Sequence, residues 1–113
     1  MTSRALAAVE AALGRGAEAD DVLRETVTAL ADDPRVSWAG IAFVEEGALQ
    51  LGPEAGQPDE PRRLHVPVVF EGGLVGELQV HGDPDLGELA EIASLIAPYV
   101  LIGWDTGGEP WKP

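Results

Sequence analysis

Apolar residues recur at Leu6, Val9 and Leu13 in an alanine-rich run, an i, i+3, i+7 spacing that predicts a helix starting from Thr2 or Ser3 and stopping at Gly14-Arg15-Gly16. A second apolar face, Leu23, Val27 and Leu30, follows Asp20 and Asp21, whose charges suit the positive end of a helix dipole, and this helix ends before Asp33-Pro34. Two helices therefore precede the next pattern, which changes period. From Val36 to Val44 nearly every position is apolar, as in a strand covered on both faces, and this is the expected central strand.

Glu45-Glu46-Gly47 supplies a short loop with glycine where a positive φ is wanted, and Ala48 to Leu51 returns as a second strand. Pairing Val44 with Ala48 puts Ile41, Phe43, Leu49 and Leu51 on one face. Gly52 to Pro61, rich in proline, glycine and polar residues, is expected to be an irregular loop. Arg62 to Phe70 and Leu74 to His81 then form a second hairpin around Glu71-Gly72-Gly73, with Leu64, Val66, Val68, Phe70, Leu74, Leu78 and Val80 inward and Pro67 marking an edge strand.

Asp83-Pro84-Asp85 reads as a helix start, with Asp83 as cap, and the last helix runs to about Trp104 with Pro98 expected to kink it. It carries two apolar stripes, Leu86, Leu89, Ala93, Ile96 and Val100, and beside them Ile92, Leu95, Tyr99 and Ile102. One stripe suffices to seat a helix on a sheet, so the second needs the first helix or another subunit to cover it. The expected homodimer surface is Leu6 with Ile92, Leu95, Tyr99 and Ile102. The domain is taken as residues 1–104, with 105–113 a Gly/Pro tail in which Trp111 either folds over the sheet, docks into a partner or stays disordered.

On the sheet face away from the helices, alternation gathers Trp38, Gly40, Ala42 and Gln50 with His65, Glu77, Gln79 and His81. If Phe70 pairs with Leu74, His65 lies opposite Gln79 and diagonal to Glu77 and His81, and the small residues at 40 and 42 leave room above the strand. One reading is a shallow ligand site, with Trp38 stacking and Gln50, His65, Glu77, Gln79 and His81 hydrogen-bonding. The other is the ordinary solvated face of a one-sided sheet.

The chain of 113 residues has 7 Lys+Arg against 20 Asp+Glu, a net charge of -13 that would repel nucleic acid and anionic membranes. It has no cysteine, so thiolate catalysis, thiolate metal sites and disulfides are excluded. Ser3, Ser37 and Ser94 sit in no nucleophile-elbow motif, and neither glycine cluster has the lysine and spacing of a phosphate cradle. The uncharged stretch from Ile92 to Trp104 is shorter than the roughly 20 residues of a membrane span, and a cytoplasmic location is expected.

Two segments resemble GAF domains. Ser37-Trp38-Ala39-Gly40-Ile41-Ala42-Phe43-Val44, followed by Leu49-Gln50-Leu51-Gly52-Pro53, is similar to the opening hairpin of the branch that includes the free methionine-(R)-sulfoxide reductases. Val66-Pro67-Val68-Val69-Phe70-Glu71-Gly72-Gly73-Leu74-Val75-Gly76-Glu77-Leu78 is similar to the late GAF hairpin, and the element order resembles the family over most of the chain. The resemblance implies an α+β fold, an antiparallel sheet of about four strands in the order 2-1-4-3 with two amino-terminal helices and one long carboxy-terminal helix on one face. The other face is then the one the family uses for ligands.

Two departures qualify what the resemblance implies. Where the family builds a lobe over its ligand, Gly52 to Pro61 is only a loop, and the reductases' cysteines have no counterpart. The expectation is therefore a non-catalytic, cofactor-free sensory or regulatory module that binds a small molecule weakly or serves in dimerisation or protein interaction. The alternatives are a metal- or cofactor-dependent enzyme using His65, Glu77 and His81, and a PAS- or profilin-like binding module with another strand order.

Overall fold

The computed structural model describes residues 4–57 and 63–102. Its elements are α1 (Arg4–Gly14), α2 (Ala19–Ala31), β1 (Val36–Glu45), β2 (Ala48–Gly56), β3 (Arg63–Phe70), β4 (Gly73–Gly82) and α3 (Leu86–Ile102). The expected location of Trp111 and the rest of the 105–113 tail lies outside the described residues. The four strands form one antiparallel sheet in the order β2-β1-β4-β3, so β1 is central, and Pro67 lies in an edge strand, where a missing N–H is tolerated.

The helices share one face of this sheet, α2 over β1 and β2 and α3 over β4 and β3. Between the layers lies a core that includes Leu23, Leu30, Ile41, Leu78, Leu89, Ile92 and Ile96, all fully buried. Burial of each such side chain stabilises the fold by about 1.5–3 kcal/mol. At Gly76 the layers approach closely: an added Cβ would clash with the Ala42 carbonyl oxygen and come within 2.7 Å of Val100 on α3.

Helix α1 ends in a 6→1 closure, Ala17 N–H to Ala12 C=O at 3.1 Å, for which Gly16 takes φ 72°. The cap of α3 is Asp85 and not Asp83. Its Oδ1 accepts from Glu88 N–H at 3.2 Å while its carbonyl accepts from Leu89 N–H at 3.1 Å, so Pro84 precedes the helix instead of opening it. Pro98 lies inside α3.

The second stripe of α3 is covered largely within the chain. Ile92 is fully buried, and Leu95 and Tyr99 are half-buried against the core, because α1 and α2 both pack on α3. Leu6 on α1 is buried in the same core. The Ile102 side chain lies outside the described residues. Leu86, expected on the first stripe, is 60% exposed.

Both hairpins turn more tightly than the sequence implied. Each uses a two-residue turn with positive φ at both positions, Glu46-Gly47 (52° and 80°) and Glu71-Gly72 (51° and 83°), as in type I′. Val44 therefore pairs with Leu49, Phe43 with Gln50 and Ala42 with Leu51. A one-residue change in register moves a whole strand to the other face, so Leu49 and Leu51 face away from the helices and Gln50 faces the helix side. In the second hairpin Val69 pairs with Leu74, which likewise points away from the core, and a bulge at Val68/Val69 then restores the expected register, so that His65 does lie opposite Gln79.

Strand β2 also runs farther than expected. A bulge in β2, opposite the step from Gly40 to Ala42, allows the chain to continue past Pro53 and pair Glu54 with Gly40 and Gly56 with Trp38. Residues 52–56, expected in the irregular loop, therefore belong to β2, and 58–62 lie outside the described residues.

Candidate functional site

The outer face of the sheet, away from the helices, carries a hydrogen-bonded polar row. Register alone brings its members together: His81 of β4 pairs with Trp38 of β1 and Arg63 of β3, and Gln79 pairs with His65. Adjacent strands lie about 4.8 Å apart, so cross-strand partners on one face are in side-chain reach.

Trp38 forms the floor. Its indole lies over Gly40, where an added Cβ would sit 2.7 Å from Cη2 and 2.8 Å from Cζ2. The room expected above Gly40 is thus filled by the neighbouring tryptophan. The indole N–H donates to Glu54 Oε1 at 3.0 Å, the Arg63 guanidinium carbon is 5.0 Å from the ring centroid, and the His81 ring is 4.8 Å away, tilted by 46°. A cation over an indole contributes about 0.5–2 kcal/mol, more as water is excluded.

Arg63 then links the row. Its Nε donates to His81 Nε2 at 2.7 Å and its Nη1 to Gln79 Oε1 at 3.1 Å. Gln79 passes the polarity on, its Nε2 donating to Glu77 Oε1 at 2.8 Å, and His65 Nδ1 reaches the same oxygen at 2.8 Å. Guanidinium donates only and carboxylate accepts only, so every intermediate role is fixed. His81 Nε2 is an acceptor, His65 Nδ1 carries a proton, and the Gln79 amide has one orientation. A positive group on the edge strand and a negative group at Glu77 are thus held apart by one amide.

Burial divides the row. Trp38 and His81 are buried and Gln79 nearly so, whereas Arg63 and His65 on the edge strand are exposed and Glu77 is half-buried. The part open to a ligand is therefore the Arg63, His65 and Glu77 edge. Gln50 takes no part, since it lies with Phe43 on the helix side. His65, Glu77 and His81 do not converge as a metal site: His81 turns its Nε2 to Arg63, and no group of three His, Asp or Glu side chains suited to a metal ion occurs among the described residues.

Sequence reasoning missed Arg63 and Glu54. Arg63 was within reach, because the register that sets His65 against Gln79 also sets Arg63 against His81. Glu54 gave no such signal, since Gly52-Pro53 before it reads as a loop and only a bulge in β2 at those residues carries the strand onward.

A separate charged cluster stands where β1 and α3 begin. Asp33 accepts from the Arg35 backbone N–H at 2.9 Å and from its Nη2 at 2.9 Å, and this hydrogen bond with its accompanying charge attraction raises the Arg35 pKa. Glu88 lies 3.7 Å from the same guanidinium, yet its pKa is pushed up because burial penalises the charged form more than Arg35 favours it. Its Oε2 is buried without a hydrogen-bond partner.

No helix among the described residues is long and apolar enough to cross a membrane. No protein-family model matches the sequence, and no curated protein matches it. Solved structures do share its architecture. A type II free methionine-R-sulfoxide reductase from Thermoplasma acidophilum superposes with a TM-score of 0.66 at 19% identity, over 76% of this chain and 94% of that one. The GAF domain of an Acinetobacter phosphoenolpyruvate-protein phosphotransferase gives 0.65 at 13% identity, over 88% and 94%. The fRMsr of Staphylococcus aureus in complex with substrate gives 0.64 at 16% identity, over 88% and 97%. With the strand order β2-β1-β4-β3, these similarities make the chain a GAF-like domain in fold.

Proposed function

We propose that this GAF-like domain is a non-catalytic regulatory module that recognises a small zwitterionic molecule at the edge of its polar row. The observation that carries this is the Arg63–Gln79–Glu77 relay, which holds a guanidinium and a carboxylate at fixed positions on one surface. A ligand carboxylate would be received by Arg63, which suits planar oxyanions, and a ligand ammonium by Glu77. His65, already paired to Glu77, would orient that carboxylate.

Absence of turnover is part of the proposal. The chain has no cysteine, and the Ser37 hydroxyl donates to the His81 carbonyl at 3.3 Å instead of reaching a histidine ring. The structural neighbours that are reductases support a surface suited to free amino-acid-like molecules, without supplying a reacting group here.

The test is a titration of isotope-labelled protein with free amino acids and with their N-acetyl and carboxamide derivatives, followed by amide shifts. Expected are shifts centred on Arg63, His65, Glu77 and Gln79 with free amino acids only, weakened at least about tenfold by Arg63→Ala or Glu77→Gln. Equal response to the blocked derivatives, or none to the free ones, defeats the zwitterion reading.

A further inference from the structure

The same outer face changes character toward the hairpin turns. β1 rises to its turn at Glu46-Gly47, and β4 descends antiparallel to it from the turn at Glu71-Gly72, so both turns lie at one end of the sheet. Next to them, on the outer face, lie Leu49 and Leu51 of β2, Val69 of β3 and Leu74 of β4, which are 43%, 47%, 49% and 55% exposed. Val44, paired with Leu49, continues the surface on β1. Apolar residues thus occur on every strand, across a width of roughly 14 Å at the usual strand spacing.

This concentration results from register. Had the hairpins turned one residue later, Leu49, Leu51 and Leu74 would have joined the core. The two-residue turns place them outside, where no helix among the described residues covers them. They occupy the turn end of the face and border the polar row at Leu51, which only Ala42 separates from Glu77.

The electrostatic frame narrows what fits. Glu45, Glu46 and Glu71 stand at the turns, Glu54 and Glu77 lie on the side toward the polar row, and the stretches 36–57 and 64–102 contain no lysine or arginine. A second copy of the chain would bring another net charge of -13 to the contact. Anionic lipid and nucleic acid are disfavoured for the same reason.

We propose that this patch is a docking surface for a basic amphipathic helix of a partner protein. Its apolar stripe would lie over Leu49, Leu51, Val69 and Leu74, with lysine or arginine on its flanks meeting Glu45, Glu46 and Glu71. A helix with side chains is about 10–12 Å across, which the patch accommodates.

The test uses three synthetic peptides of equal length: an amphipathic Leu/Lys helix, a scrambled peptide of the same composition, and an amphipathic Leu/Glu helix. Binding is followed by fluorescence anisotropy and by amide shifts on the wild-type domain. The amphipathic Leu/Lys peptide is expected to shift Leu49, Leu51, Val69 and Leu74, to weaken as salt is raised, and to lose at least about tenfold in affinity with Leu51→Lys or Leu74→Lys. The other two peptides are expected to bind at least about tenfold more weakly.

Equal binding of the scrambled peptide, or shifts confined to the helix layer, overturns the proposal because charge alone then accounts for the attraction. It is overturned equally if light scattering shows a wild-type oligomer that Leu51→Lys dissociates, since the occupant is then a second copy. Titration with free amino acids reads Arg63 and His65 on β3, which the helix contact at Leu49 and Leu74 does not use, so failure there leaves this result intact.

Discussion

Arg63 on the edge strand donates its Nε proton to the buried Nε2 of His81 at 2.7 Å, and this bond joins the outermost strand to the sheet's polar interior. Removing it leaves a buried ring nitrogen without this donor. Arg63→Ala is expected to destabilise the domain by about 1.5–3 kcal/mol, the range for a lost hydrogen bond to a charged group. Arg63→Lys should recover little, because an ammonium does not reproduce a planar group that stacks on Trp38 while bonding two acceptors. Chemical denaturation of both variants measures this, and full rescue by lysine would contradict it.

Gly40 is required by the indole above it. Gly40→Ala introduces a methyl 2.7 Å from the Trp38 ring, so the ring must shift away from Gly40 and strain its bond to Glu54. A loss of about 1–3 kcal/mol is expected, the usual range for overpacking. The Trp38 indole N–H resonance should move as well. An unchanged resonance with unchanged stability would mean that the ring does not rest there.

Ile92 belongs to the core of one chain. Ile92→Ala is expected to cost about 2–5 kcal/mol in unfolding free energy while leaving the light-scattering mass equal to that of wild type. A change in mass with stability retained would instead assign Ile92 to a contact between chains.

Glu88 gives a pH dependence of definite sign. Its pKa in the folded chain stands above the ordinary 4.5, because burial disfavours the carboxylate, so the fold binds this proton more tightly than the unfolded chain does. The associated stability is present in full below about 4.5 and is lost as pH rises through the folded value. Glu88→Gln, neutral throughout, should therefore be more stable than wild type at neutral pH, with the difference shrinking as the solution is acidified. Urea midpoints for the two proteins at pH 4 and pH 7 decide it, and a wild type more stable at pH 7 would reverse the assignment.

The sequence by itself determined the seven elements, since each carries its own period: Leu23, Val27 and Leu30 define a helix face, and Val36 to Val44 define a doubly covered strand, whereas the layering followed only from the resemblance to GAF domains. The expected opposition of His65 and Gln79 also holds, but only because the bulge near Val69 offsets the shorter turn. What only the tertiary structure decided is which way the turn-proximal residues face. Glutamate at positive φ is an unusual choice for the first position of a type I′ turn, so Glu46 and Glu71 did not announce two-residue turns, and one residue of slip carries Leu49, Leu51, Leu74 and Gln50 to the opposite face. Glu54 joins Trp38 only through a bulge that no local pattern encodes. Periodicity is a property of each segment alone, whereas register is settled by the competition of all four strands for one core.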